Sequence, residues 1–183
     1  WDINKQTVAS QERQFGSNCD WIGFLPLPVG SDTSDHGLLV VNHEYTNPEL
    51  MFPGYLAPNP AFNPEDEESE EPEYLTNPTQ EIVDIELAAH GLSVVEIRRD
   101  ESGRWEPVLD SPYNRRITAT TPMEVTGPAA GSDYLKTRYS PDGSRTRGTL
   151  NNCANGVTPW GTYLTCEENW AGYFRRITAT DNP

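Results

Sequence analysis

Residues 37–45 read Gly37-Leu38-Leu39-Val40-Val41-Asn42-His43-Glu44-Tyr45, an aliphatic and β-branched run that gives way abruptly to polar residues. The run predicts a strand, and apolar character on both faces of its first half puts that half in the interior. Side chains alternate across a strand, so Leu38, Val40, Asn42 and Glu44 share one face while Val41, His43 and Tyr45 share the other. Polar groups that follow an apolar row on one face are what a strand running towards a central cavity presents. A buried carboxylate left alone is costly, so Glu44 needs a partner, either a metal cation or Arg115 or Arg116. His43 has the pattern of a hydrogen-bonded structural residue, and His36 and His90, at element ends, carry no role.

The segments around this strand place it in a mostly β protein. Residues 15–21 form a turn-like cluster leading to the apolar stretch Ile22 to Leu27. Residues 92–98 and 105–109 form a hairpin across the turn Arg99-Asp100-Glu101-Ser102-Gly103-Arg104. A single helix is predicted over Thr79 to His90, with Ile82, Ile85, Leu87 and Ala88 at helical spacing and Gly91 as its stop. Short strands joined by tight turns suit a sandwich or a propeller, and an echo between Arg115–Thr120 and Arg175–Thr180 is compatible with repetition. Residues 1–14 are polar and read as a peripheral lead-in.

Residues 55–78 form an acidic, proline-rich insertion loop. Glu65, Asp66, Glu67, Glu68, Glu70, Glu71 and Glu73 crowd into it. With so little to bury, the segment is solvated, and like charges without a turn glycine between them repel instead of forming a calcium loop.

The densest chemistry lies at Gly148 to Asn169, where Asn151-Asn152-Cys153 and Cys166-Glu167-Glu168 flank a Pro159-Trp160-Gly161 turn. Thiol, amide and carboxylate donors in one neighbourhood are metal-site chemistry: a thiolate selects a softer transition ion, and oxygens suit calcium. A small buried residue in a tight turn is the plainer reading of Cys153. No CxxC occurs, which argues against a structural zinc. Residues 163–168 read as a strand on which Cys166 is expected to be a packed thiol. Asn18 and Asp20 sit in a turn that could present oxygens to a cation, and the pairs Arg115-Arg116 and Arg145, Arg147 could clamp a phosphate.

Composition narrows the partners. The formal charge of −15 over 183 residues argues against nucleic acid, and no apolar run is long enough to span a bilayer. Three cysteines leave at least one outside any intrachain disulfide. A first residue of Trp1 suggests a processed or truncated product.

Four segments resemble the PhoX-type alkaline phosphatases, in that family's order. They are Phe15–Asp20 with Phe24–Leu27, Leu39–Pro53, Asn114–Ala130 and Gly148–Glu168. The resemblance implies an all-β, six-bladed β-propeller, of which residues 1–183 are the incomplete N-terminal part with a short helical insertion. It implies phosphomonoester hydrolysis at an iron and calcium cluster, with Cys153 as thiolate ligand, Glu168 and Glu44 as carboxylate ligands, and Asn18 as a contact to substrate phosphate. Asn18-Cys19-Asp20 departs from the family's usual Asn-Asn-Asp there. Export to the periplasm or beyond by the twin-arginine route also follows, as does a monomer when full length, acting on a small phosphate ester. The fragment alone is expected to be inactive. Competing readings are a phosphodiesterase or phosphotriesterase on the same fold and a non-catalytic, calcium-stabilised binding propeller.

Overall fold

A computed structural model of the chain describes residues 5–58, 60–66, 73–75 and 78–174. Its helices are α1 (Val8–Gln11), α2 (Pro48–Met51) and α3 (Gln80–Ala89). The strands are β1 (Cys19–Pro26), β2 (His36–His43), β3 (Leu56–Pro58), β4 (Glu73–Leu75), β5 (Gly91–Arg99), β6 (Trp105–Pro107), β7 (Arg115–Ile117), β8 (Pro122–Glu124), β9 (Arg145–Arg147), β10 (Asn152–Val157) and β11 (Tyr163–Glu167). The protein is mostly β, as the sequence predicts.

Strand β2 is central. It pairs with β1 on one side and along its whole length with β5 on the other, all antiparallel. The outer edge of β5 is shared, β7 pairing with Leu92 to Val94 and β6 with Ile97 to Arg99, which makes a five-stranded sheet. Three two-stranded pairs, β3–β4, β8–β9 and β10–β11, complete the strands, and the described sheets remain open.

Alternation along these strands produces two faces. On one, Val40, Leu92 and Val94 are buried and packed by Leu25, Leu38, Ile117 and Tyr163, the last reaching across from β11. Burying an aliphatic side chain of this size contributes about 1.5–3 kcal/mol, so this row anchors the β10–β11 hairpin to the sheet. A second cluster, Met51, Ile85 and Ala89 with Val8 and Phe52, joins α3 to α1 and α2.

Thr79 caps α3 by accepting from Ile82 N at 3.2 Å. The helix hands over to β5 at Gly91, whose φ of +93° and whose position, where a Cβ would lie 2.0 Å from Ile117 O, both require glycine. Gly16 is needed for a different reason: a Cβ there would meet the His43 ring at 2.3 Å and Ala89 O at 2.4 Å.

Several expectations are revised. The polar lead-in contains α1, closed by a capping box between Thr7 and Ser10 with Gln11 buried. In the insertion, Tyr55 is buried, only 5% exposed, and Leu56–Pro58 pairs with Glu73–Leu75, so apolar residues at its start are used for packing. Most of its acidic run, and the Arg175–Thr180 echo, lie outside the described residues. Cys166 is exposed instead of packed, because the core-facing partners in β11 are Tyr163 and Thr165.

Candidate metal centre

Two β-bulges and one strand end bring the acidic and thiol groups together. Between Cys19 and Ile22 strand β1 carries one residue more than its partner, and β10 does the same between Asn152 and Asn155. Bulges re-aim side chains that strict alternation would send elsewhere. Asp20 lies in the first bulge and Cys153 in the second. Glu44 follows the last residue of β2, its N–H donating to Asn18 O at 2.9 Å. One ligand atom from each of Asp20, Glu44 and Cys153 lies within 4.8 Å of the other two. Glu168, held by a bond from its N–H to Asn151 O at 2.9 Å, brings a fourth acidic group to the Cys153 thiol.

The adjacent Glu167 does different work. Its Oε1 accepts from Thr149 Oγ1 at 2.7 Å and from Leu150 N at 3.0 Å, tying down the turn before β10. Of the two consecutive carboxylates, Glu168 is the one that reaches the cluster.

Asn42, fully buried, fastens the thiol's strand to the sheet. Its Nδ2 donates to Cys153 O at 2.8 Å, and its Oδ1 accepts from Tyr163 Oη at 2.8 Å and Thr165 Oγ1 at 3.3 Å. Asn155 in turn bonds Tyr163 Oη. Asn18, with φ +40°, has its side-chain amide donating to Tyr45 O at 3.0 Å and Asn47 Oδ1 at 2.7 Å. Both of its amide hydrogens are therefore engaged in holding the segment that carries Glu44.

The electrostatics are those of negative groups lacking a counter-charge. Hydrogen bonding to Asp20, then burial, then Glu168 push the Cys153 thiol up to about 12. Burial and the neighbouring Asp20 and Glu168 carboxylates raise the Glu44 carboxyl. Arginine does not relieve this: the Arg116 guanidinium donates to Ala88 O at 2.8 Å and His90 O at 2.9 Å, and Arg115 donates to Tyr113 O at 2.8 Å. Glu44 thus has acids for neighbours and neither candidate arginine. Asn151 Oδ1 and Asn152 Oδ1, next to Cys153 in the chain, are buried without a hydrogen-bond donor among the described residues. Clustered acids and a thiol without a counter-charge fit a cation, which would satisfy the carboxylate oxygens and favour the thiolate.

His43 is structural. It is wholly buried, accepts at Nε2 from Ser93 Oγ (2.7 Å) and Gly16 N (3.3 Å), and burial followed by the nearby Arg116 charge lowers its pKa to about 3. Asp20 joins the cluster although the sequence pattern does not assign it to the face of Glu44. Its position in an Asn-Cys-Asp turn was a signal, but its convergence with Glu44 and Cys153 depends on the bulge.

Fold and donor set together define a mostly-β protein with a mixed thiol and carboxylate cluster suited to metal ions. The chain belongs to the PhoX alkaline phosphatase family, whose model matches residues 1–182. A solved structure, Pseudomonas fluorescens PhoX in complex with vanadate, a transition state analogue, is similar at 36% identity and a TM-score of 0.78. The match covers 98% of this chain and 27% of that one, so the chain spans about a quarter of that protein's length. No curated protein matches it significantly.

Proposed function

We propose that the chain forms one wall of the active site of an exported, metal-dependent alkaline phosphatase acting on small phosphomonoesters. The observation that carries this reading is the meeting of Asp20, Glu44 and Cys153 within 4.8 Å in a member of the PhoX family. The similar Pseudomonas fluorescens protein binds vanadate, described as a transition state analogue, and this supports a phosphoryl-transfer site. The described sheets would be the N-terminal blades of a six-bladed propeller, with the remaining blades supplying the other walls.

Cys153 as thiolate would hold iron, and Glu44, Glu168 and Asp20 would hold iron or calcium through oxygen, in keeping with ligand softness. Bound cations would neutralise phosphoryl oxygens and supply Lewis acidity for attack on phosphorus. The chain's own residues orient this machinery. Asn42 holds the carbonyl of Cys153, and Asn18 holds the backbone before and after Glu44. For Asn18 to contact substrate phosphate, one of its amide bonds, to Tyr45 O or Asn47 Oδ1, would be exchanged for a phosphoryl oxygen.

The test is elemental analysis of the whole protein containing this chain, with monoester and diester assays of wild type and Cys153→Ala. Iron and calcium in the wild type, and loss of iron with loss of monoesterase activity in the variant, are expected. Full activity in Cys153→Ala would sink the assignment. A preference for diesters would move it to a phosphodiesterase on the same fold.

A further inference from the structure

Arg145 and Arg147 stand two residues apart on β9, so both project from one face of the β8–β9 hairpin. Their guanidinium carbons lie 5.9 and 4.2 Å from the centre of the Tyr139 ring. The ring and the strand are held by a common anchor: buried Ser140 accepts from Arg145 N at 2.9 Å and donates its own N–H to Thr137 Oγ1 at 3.1 Å.

The neighbouring acids are committed elsewhere. Asp133 pairs with Lys136 at 2.6 Å, and Asp142 accepts from Ser140 Oγ and Ser144 N, both at 3.1 Å. Glu124 is opposite Arg145 in register but does not close an ion pair with it. Among the described residues neither guanidinium has a carboxylate partner. Both arginines are exposed, so neither guanidinium is held in an ion pair and both are open to an anion. They border a cavity of about 280 Å³ together with Tyr134, Leu135, Thr137 and Tyr139.

Stacking on an aromatic face orients a guanidinium plane and leaves its edge free for bidentate contact with an oxyanion. Residues two apart on a strand are separated by roughly 6.5 Å, within reach of two linked anionic groups. We propose that this hairpin is a binding site for a compact, soluble ligand carrying two phosphoryl groups, of the diphosphate class. The strongly negative chain disfavours a broad anionic surface such as a lipid bilayer, whereas a small polyanion can sit between the two arginines. None of these residues belongs to the Asp20, Glu44 and Cys153 cluster, so the inference does not depend on the metal-site reading.

The test is calorimetric titration of the whole metal-loaded protein with methylenediphosphonate, whose P–C–P bridge offers no leaving group for hydrolysis. Wild type is expected to bind one equivalent more than Arg145→Gln/Arg147→Gln. Arg147→Lys, which keeps the charge without the planar fork, should weaken that equivalent about tenfold, the scale of one charge-assisted hydrogen bond. Tyr139→Phe should retain it and Tyr139→Leu weaken it, and orthophosphate should bind there more weakly than methylenediphosphonate. Equal stoichiometry in wild type and the double variant would overturn the proposal, as would undiminished binding by Arg147→Lys. So would co-sedimentation with phosphatidylglycerol vesicles that the double variant loses, which would assign the patch to a membrane.

Discussion

Glu96 and Glu44 lie near opposite ends of the same buried face of the central sheet, and their surroundings could hardly differ more. Glu96 Oε1 lies 2.8 Å from His36 Nε2, Oε2 accepts from Ser111 Oγ, and Arg98 stands 3.9 Å away. The Ser111 bond, then His36, hold its carboxyl below the usual range. Glu44 meets Asp20, Glu168 and a thiol, and its carboxyl is raised. Between them runs the apolar row Leu38, Val40, Leu92 and Val94. A carboxylate that brings its own donors is part of the scaffold. One that meets only other acids fits a cation, and the contrast separates the two ends of the sheet.

The comparison breaks most readily through activity. In the whole protein Cys153→Ala is expected to lower phosphatase activity by about a hundredfold or more, beyond the roughly 10–100-fold typical of losing a group that merely supports a ligand. Glu96→Gln should leave activity unchanged. If the two variants were equally impaired, the two ends would not differ in kind.

Asn42→Leu comes next. It leaves the Cys153 carbonyl without its side-chain donor and the Tyr163 hydroxyl without its acceptor, at a cost of about 2 kcal/mol in urea unfolding. Because Asn42 bonds the Cys153 backbone, metal affinity should also fall by about tenfold or more. A variant that loses stability but keeps metal affinity would reduce Asn42 to packing alone.

These residues also mark how far the sequence could be read. The central strand, the β5–β6 hairpin and the helix ending at Gly91 followed from apolar runs, turn chemistry and the requirement for glycine, which are local properties. Glu44 needing a partner was legible too, since it continues an apolar face. Asp20 is legible as an oxygen donor in a turn, but its meeting with Glu44 is not, because the bulge between Cys19 and Ile22 breaks the alternation by which a face is assigned. The same limit hides the aim of Cys153. The exposure of Cys166 was misread because β11 packs through Tyr163 and Thr165, a choice set by tertiary contact with Asn42 over 121 and 123 residues of chain. Buried Tyr55 was overlooked because the surrounding prolines and acids dominate the segment's composition.

A smaller effect sharpens the contrast from the cation side. Calcium added to metal-free protein at about ten times its dissociation constant should stabilise the folded state by roughly 1.4 kcal/mol. Asp20→Asn should abolish most of that gain and Glu96→Gln none of it, read as shifts in thermal midpoint. A midpoint that rises equally in all three proteins would place the calcium site elsewhere.

The subtlest expectation concerns acid. A carboxyl whose folded pKa lies below its ordinary value of 4.5 contributes stability that is fully present above that value and is lost as pH falls through the lower folded one. The stability difference between wild type and Glu96→Gln should therefore be fully present at about pH 5 and shrink below about pH 4. Other carboxyls held low by hydrogen bonds, Asp100 and Asp142 among them, titrate in both proteins and cancel in the difference. Ser111→Ala, which removes the largest cause of the shift, should shrink the same difference without touching the Glu44 end. A difference that stays constant to about pH 3 would mean that the Ser111 and His36 bonds do not hold the charge on Glu96, and the self-sufficient end of the strand would lose its explanation.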